Sequence, residues 1–193
     1  MTSSKNEFDY IELFKVLEAQ KASKDLNEFY KRKDVKHSEV ITRLIHRLTL
    51  SVQTIPKEFN NCAGNFSNYK GNRIIAIIGE KPAGPSPLAK SYPFLEVTGS
   101  SGWLNSQLND THAREDRLFW ANALNLDDSE NDPEIINQLM PKQIVCLGKI
   151  AERWAKKNGW EFVSFPHPQY WKRFKSKQPY PLIDFLRNAS AKS

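Results

Sequence analysis

Cysteine is scarce in this 193-residue chain, where Cys62 and Cys146 are the only two. Two thiols cannot build a four-thiolate zinc or iron–sulfur site. A pair of reduced thiols in a cytoplasmic protein is the simplest reading. Histidine occurs at four positions only, and His37, His46 and His112 stand isolated. No spacing marks a metal centre, and neither metal nor cofactor is expected. No run of about 18 apolar residues occurs, which excludes a membrane-spanning helix. The opening MTSSKNEFDY has no apolar core of a secretory signal. No membrane partner is expected, and the chain reads as a monomer. It carries no internal repeat and no low-complexity segment.

What is there is positive charge, unevenly spread. The net charge is +6, with a pI near 9.2 and a mean hydropathy of −0.60. Residues 148–177 hold eight Lys or Arg against Glu152 and Glu161, whereas residues 110–140 hold eight acids against Arg114 and Arg117. A basic region of this kind points to a polyanion, most often nucleic acid, or else to a solvated charged face. The densest part is SFPHPQYWKRFKSKQ, residues 164–178, where a histidine, two adjacent aromatics and a cluster of cations meet.

Apolar residues recur at helical spacing from residue 5 to about 53, and no proline precedes Pro56. We read residues 1–57 as an N-terminal helical extension and residues 58–193 as an α/β domain. After a looser segment, NNCAGNFSNYKGN, the pattern becomes short apolar runs: RIIAIIG (73–79), LFWANAL (118–124), QIVCLG (143–148) and EFVSF (161–165). Continuous apolar runs of this length are how buried parallel strands look. Helical patterns at 100–109, 133–140 and 149–158 separate them. The alternation predicts a mostly parallel, four-stranded sheet between helices. In such sheets ligands bind beyond the carboxyl ends of the strands. That rule selects Glu80, Asn122, Gly148 with Lys149, and His167.

Those residues lie in motifs that are similar to a known family. In order, IIGEKPAGP, YPF, SSGWLNSQL, FWANAL, PKQIVCLGKIAERW and HPQYWKR resemble the motifs of the uracil-DNA glycosylase superfamily, over about residues 73–175. The likeness is to its family 4 and related branches, without the iron–sulfur cysteines. Each motif alone is weak; their order and spacing together are specific. The resemblance implies a three-layer α/β/α fold and hydrolysis of the bond between a base and deoxyribose in DNA. It implies that Glu80 is the acidic residue of the first motif and that Phe94 stacks on a flipped base. Asn122 would read the base edge, and His167 would face a base carbonyl. Residues 169–173 would be a loop entering the minor groove. The chain departs from the family in three ways. It has one residue more before Gly84, lacks the cluster cysteines, and carries the N-terminal helical region.

The residue types suit that chemistry. A base inside a duplex must be flipped out before it can be attacked. An amide such as Asn122 offers a donor and an acceptor to a pyrimidine edge. As the C1′–N bond breaks, Glu80 can stabilise the sugar cation or orient water, while His167 donates to the oxygen of the leaving base. Gln169, Tyr170, Trp171, Lys172, Arg173 and Lys175, with Lys149, would hold DNA, either aromatic wedging into the vacated stack. Uracil is the default base. The altered loop at residues 81–84 keeps a bulkier modified base of viral DNA open, and with it a defence role instead of repair.

Taken singly, each residue also has a structural reading. Glu80 can cap a helix, Asn122 can bond backbone at a strand end, and Phe94 can be core. Tyr170 and Trp171 can pack the last helix, and His167 can be a satisfied loop residue. Two other functions stay open: a nucleic-acid-binding module without turnover, and an enzyme acting on free nucleosides or nucleotides.

Overall fold

The computed structural model describes residues 37–67, 73–82 and 87–192. The helical reading of residues 5–36 and the glycine end of the 81–84 loop lie outside the described residues. The fold is mixed α/β around a mostly parallel sheet. Its strands are β1 (Cys62–Gly64), β2 (Ile75–Gly79), β3 (Leu118–Asn122), β4 (Gln143–Leu147) and β5 (Val163–Phe165), in the order β1-β3-β2-β4-β5. The helices are α1 (His37–Thr54), α2 (Pro87–Ser91), α3 (Gly99–Leu108), α4 (Glu134–Leu139), α5 (Lys149–Lys157), α6 (Pro168–Phe174) and α7 (Pro181–Ala191).

Among the described residues the sheet has five strands, not the expected four. The additional one, β1, sits inside the segment read as loose. It is three residues long and pairs antiparallel with β3 at the edge. Its sequence, Cys-Ala-Gly, has no β-branched residue, so local preference gave no sign of it. Helix α1 holds it in place: Ser51 Oγ accepts from the Gly64 N–H at 2.7 Å, and Thr54 Oγ1 from the Phe66 N–H at 2.8 Å.

Side chains along β2, β3 and β4 alternate between two apolar clusters. Ala76, Ile78, Phe119, Ala121, Ile144 and Cys146 meet Ile135, Leu139, Ala151 and Trp154 of α4 and α5. Ile75, Ile77, Leu118, Trp120, Val145 and Leu147 meet Trp103, Leu104, Leu182 and Leu186 of α3 and α7. Both faces of the sheet are therefore apolar, which is why its strands read as unbroken hydrophobic runs. A third cluster joins Val40, Leu44 and Leu48 of α1 to Leu95 and Val97. Those α1 residues recur every fourth position and form one stripe.

Strand β2 has β3 on one side and β4 on the other. The chain leaves it in one direction and later returns on the opposite side. This is a topological switch point, and the crevice at the carboxyl ends of such strands is where α/β sheets bind ligands. Among the described residues, no helix is long and apolar enough to cross a membrane.

Candidate functional site

Parallel register brings the first two site residues together. Gly79 pairs with Asn122 at the ends of β2 and β3, and Glu80 follows at once. The crevice above them is a cavity of about 230 Å³ whose lining includes Glu80, Phe94, Asn122, His167, Ser101 and Gln169. Four residues expected at the site from four separate motifs thus share one wall. The volume lies just below the ~300–1,000 Å³ of sites for drug-sized ligands.

Gly79 makes room for this assembly. A Cβ there would lie 2.5 Å from Phe94 Cζ and 2.8 Å from Asn122 Oδ1. Asn122 is 3% exposed and pinned, so it cannot retreat. Gly79→Ala is expected to displace the Phe94 ring and to destabilise the fold by about 1–3 kcal/mol, the usual cost of overpacking. Thermal unfolding and the crystal structure of the variant check both effects.

Asn122 is oriented by a residue that sequence reasoning missed. Its Nδ2 donates to Asn61 Oδ1 at 3.0 Å. Asn61 in turn donates to Leu124 O at 2.8 Å and to Asn125 Oδ1 at 3.2 Å. Asn131 donates to Asn122 O at 2.9 Å and to Asn61 O at 3.2 Å. The chain of bonds fixes the amide plane and leaves Asn122 Oδ1 and one N–H for a ligand. The only sequence signal for Asn61 was its place in an Asn-rich stretch. Its left-handed backbone, φ 54°, is a conformation that asparagine tolerates better than most residues.

Phe94 is also left-handed, at φ 61°, an unfavourable state for an aromatic residue. Its carbonyl accepts from Arg47 Nη1 at 3.0 Å and from Asn105 Nδ2 at 2.7 Å. Its ring lies 5.1 Å from that of Trp120. Arg47 is wholly buried, clasps Glu115 with Nε and Nη2 at 3.0 and 2.9 Å, and lies 4.2 Å above the Trp120 ring.

His167 caps α6. Its Nδ1 accepts from the Gln169 N–H at 3.1 Å. An atom that accepts carries no proton, so the neutral imidazole bears its proton on Nε2. Burial lowers its pKa below the ordinary value, while the Glu80 charge pulls weakly the other way. The loop before it is held by Tyr180, whose hydroxyl donates to Pro166 O at 2.6 Å. Gly148, at φ 91°, leaves a Cβ-sized gap only 3.1 Å from His167 Cβ. Protonation at Nδ1 would set two donors against each other at the cap. An NMR titration of His167 is therefore expected to show a midpoint below the usual ~6.5. As pH falls, the unfolded chain takes the proton first. The stability from neutral His167 is thus present above the unfolded value and lost on acidification through the folded one. A midpoint at or above the usual value would contradict this assignment.

Among the described residues no hydrogen bond or ion pair engages the Glu80 carboxylate. The neighbouring Lys81 instead pairs with Asp128 at 2.8 Å. Glu80 is one of the residues lining the cavity.

Residues 168–174 differ from expectation. They form helix α6, not a loop. A proline at the first helical position behind a side-chain cap is a favourable helix start. Trp171, expected as one of two alternative wedges, packs inward. Its Nε1 donates to Gln178 O at 3.1 Å, and its ring lies 5.8 Å from that of Tyr180. The exposed aromatics are Tyr170 and Phe174, 50% and 63% accessible, with ring centroids 5.2 Å apart. Phe174 was not anticipated. Arg173 lies over its ring, and Lys172 reaches Gly99 O at 3.3 Å. Arg173 and Lys175 are exposed. Lys149 contacts Glu152 at 3.1 Å but stays 86% exposed. Both cysteines are buried, and burial pushes each thiol up to about 12, which keeps it protonated at neutral pH. No group of three or more metal-ligating side chains occurs among the described residues.

No protein-family model matches the chain, and no curated protein matches it.

Proposed function

We propose that the protein is a DNA glycosylase. It would take a modified or damaged pyrimidine out of the stack and hydrolyse its bond to deoxyribose. The observation that carries this reading is the single cavity lined by Glu80, Phe94, Asn122 and His167. The three-layer α/β/α description of the superfamily is supported by the two apolar clusters on opposite faces of the sheet.

In this mechanism the flipped base stacks on Phe94 and pairs its edge with the Asn122 amide, which Asn61 holds in plane. The C1′–N bond breaks, and its electron pair moves onto the base. His167 Nε2–H donates to the base oxygen as negative charge gathers there. Glu80 stabilises the positive charge on the sugar and orients a water toward C1′. The water oxygen bonds to C1′, its proton passes by way of Glu80 and solvent to the base anion, and the free base and an abasic sugar result. Tyr170 and Phe174 would fill the vacated stack in place of Trp171. Arg173, Lys175 and Lys149 would contact phosphates, with Gln169 at the cavity edge and Lys172 beside the start of α3.

Uracil is the default substrate, and a bulky hypermodified base of viral DNA is the alternative. The test is incubation with DNAs carrying uracil, hydroxymethyluracil, hydroxymethylcytosine or glucosylated hydroxymethylcytosine, followed by alkaline cleavage of abasic sites. Strand breaks at one base, lost in Asn122→Ala, support the proposal. Tight, salt-sensitive DNA binding without breaks on any substrate overturns it in favour of a binding module.

A further inference from the structure

Helix α1 meets the backbone of Phe94, a cavity residue, through the wholly buried Arg47. We infer that Arg47 is a positioning residue for base recognition, acting through the backbone of Phe94. This rests on the reading of Phe94 as the residue that stacks on the base.

Phe94 is the cavity residue with an unfavourable backbone. A side chain at φ 61° persists only when its surroundings over-determine it. Arg47 and Asn105 share that constraint, Asn105 Nδ2 donating to Phe94 O at 2.7 Å, and Arg47 adds a contact near the ring that Asn105 lacks. Its Nη1 donates to Phe94 O at 3.0 Å. Its Nε and Nη2 grip both oxygens of Glu115, so the guanidinium plane cannot turn. Its face lies 4.2 Å from the centre of the Trp120 ring, against which the Phe94 ring also packs. One planar group therefore sets the carbonyl and the ring environment of the same residue. Lysine cannot reproduce this, because a single ammonium has no fixed fork.

Arg43 provides the control. It shares Glu115 at 3.0 Å, but its other bonds go to Ala113 O and Leu108 O, not to Phe94. A merely structural role would make the two arginines equivalent, apart from burial. A positioning role makes only Arg47 affect the cavity.

The test compares Arg47→Lys with Arg43→Met by two readouts. The first needs no substrate: the backbone carbon shifts of Phe94 by NMR. They are expected to report a left-handed residue in the parent and in Arg43→Met, and to leave that range in Arg47→Lys. The second is kinetics on a uracil-containing oligonucleotide, or on whichever base of the panel the parent excises. Misplacement of one reacting group costs up to about 100-fold, so kcat is expected to fall by about 10–100-fold in Arg47→Lys while KM for DNA stays within about twofold. If Arg47→Lys does not fold, the double variant Arg47→Met/Glu115→Leu removes the buried charges together and still deletes the bond to Phe94. Unchanged Phe94 shifts in whichever variant folds would overturn the proposal, as would an equal kcat loss in Arg43→Met. Because the shifts are read without DNA, failure of the glycosylase reading would show separately, as a parent protein inactive on every base.

Discussion

Glu80→Gln is expected to lower the rate of base excision by about 10²–10⁴-fold, the range for loss of a positioned acid–base group. The amide is nearly the same size, and Glu80 has no ion pair among the described residues. The melting temperature should therefore not change. Glutamine can still bond to a water, but it can neither take a proton nor oppose charge on the sugar. DNA affinity should hold or rise, since a negative charge near the phosphates is gone. Single-turnover excision and DNA binding, measured on the same preparation, separate the two effects. Undiminished excision in Glu80→Gln would remove Glu80 from the chemistry and leave His167 with the Asn122 amide as the acting groups.

Glu115→Ala is expected to cost about 3–5 kcal/mol, the usual penalty for leaving a buried charge without its partner. Arg47 is wholly buried and loses its two-pronged contact, while the partly exposed Arg43 can turn toward water. In a chain of this size about 2–4 °C is lost per kcal/mol, so the melting temperature should fall by about 6–20 °C. The same carboxylate sets an acid limit. Burial alone would raise the Glu115 pKa, but the charge and hydrogen bonds of Arg47, then those of Arg43, outweigh it and lower the pKa. The folded state therefore binds the proton later than the unfolded chain. Its stabilisation is present above the ordinary carboxylate range and is lost as pH falls through the folded value. Thermal melts from neutral to acid pH should show the parent losing this increment and Glu115→Ala lacking it. A variant that melts like the parent would mean that Arg47 finds another partner.

The two effects are linked through Phe94. Glu115 holds Arg47, Arg47 holds the Phe94 carbonyl, and Phe94 walls the cavity that Glu80 faces. Stability and site geometry thus depend on one buried pair. A buried ion pair is weak evidence of stability, since apolar replacements are often as stable. Its fixed geometry at a left-handed residue is the better reason for it here.

The sequence determined the parts of the fold that repeat a local physical pattern. Strands β2, β3 and β4 were legible because both faces of the sheet are buried there, which forces continuous runs such as Ile75–Gly79, while β5 at the exposed edge was marked only by its short apolar run. Their carboxyl ends then placed Glu80, Asn122 and His167 on one edge without any knowledge of loops. Even the start of α6 was written locally, as a histidine cap followed by proline, although the likeness to a glycosylase loop masked it. Tertiary structure alone decided the rest. Strand β1 has no strand-like residues and is held because Ser51 of α1 accepts its Gly64 N–H and Thr54 accepts the Phe66 N–H just beyond it. Asn61 meets Asn122 only across the β1–β3 pairing. Trp171 turns inward because Tyr180 and Gln178 O receive it, which leaves Tyr170 and Phe174 outside. Phe94 takes its left-handed backbone from bonds to Arg47 and Asn105, residues 47 and 11 positions away. Each of these depends on a polar group finding a partner outside its own helix or strand. Such pairing leaves no periodicity to read, because the cost of an unsatisfied buried group is felt only once the chain has closed around it.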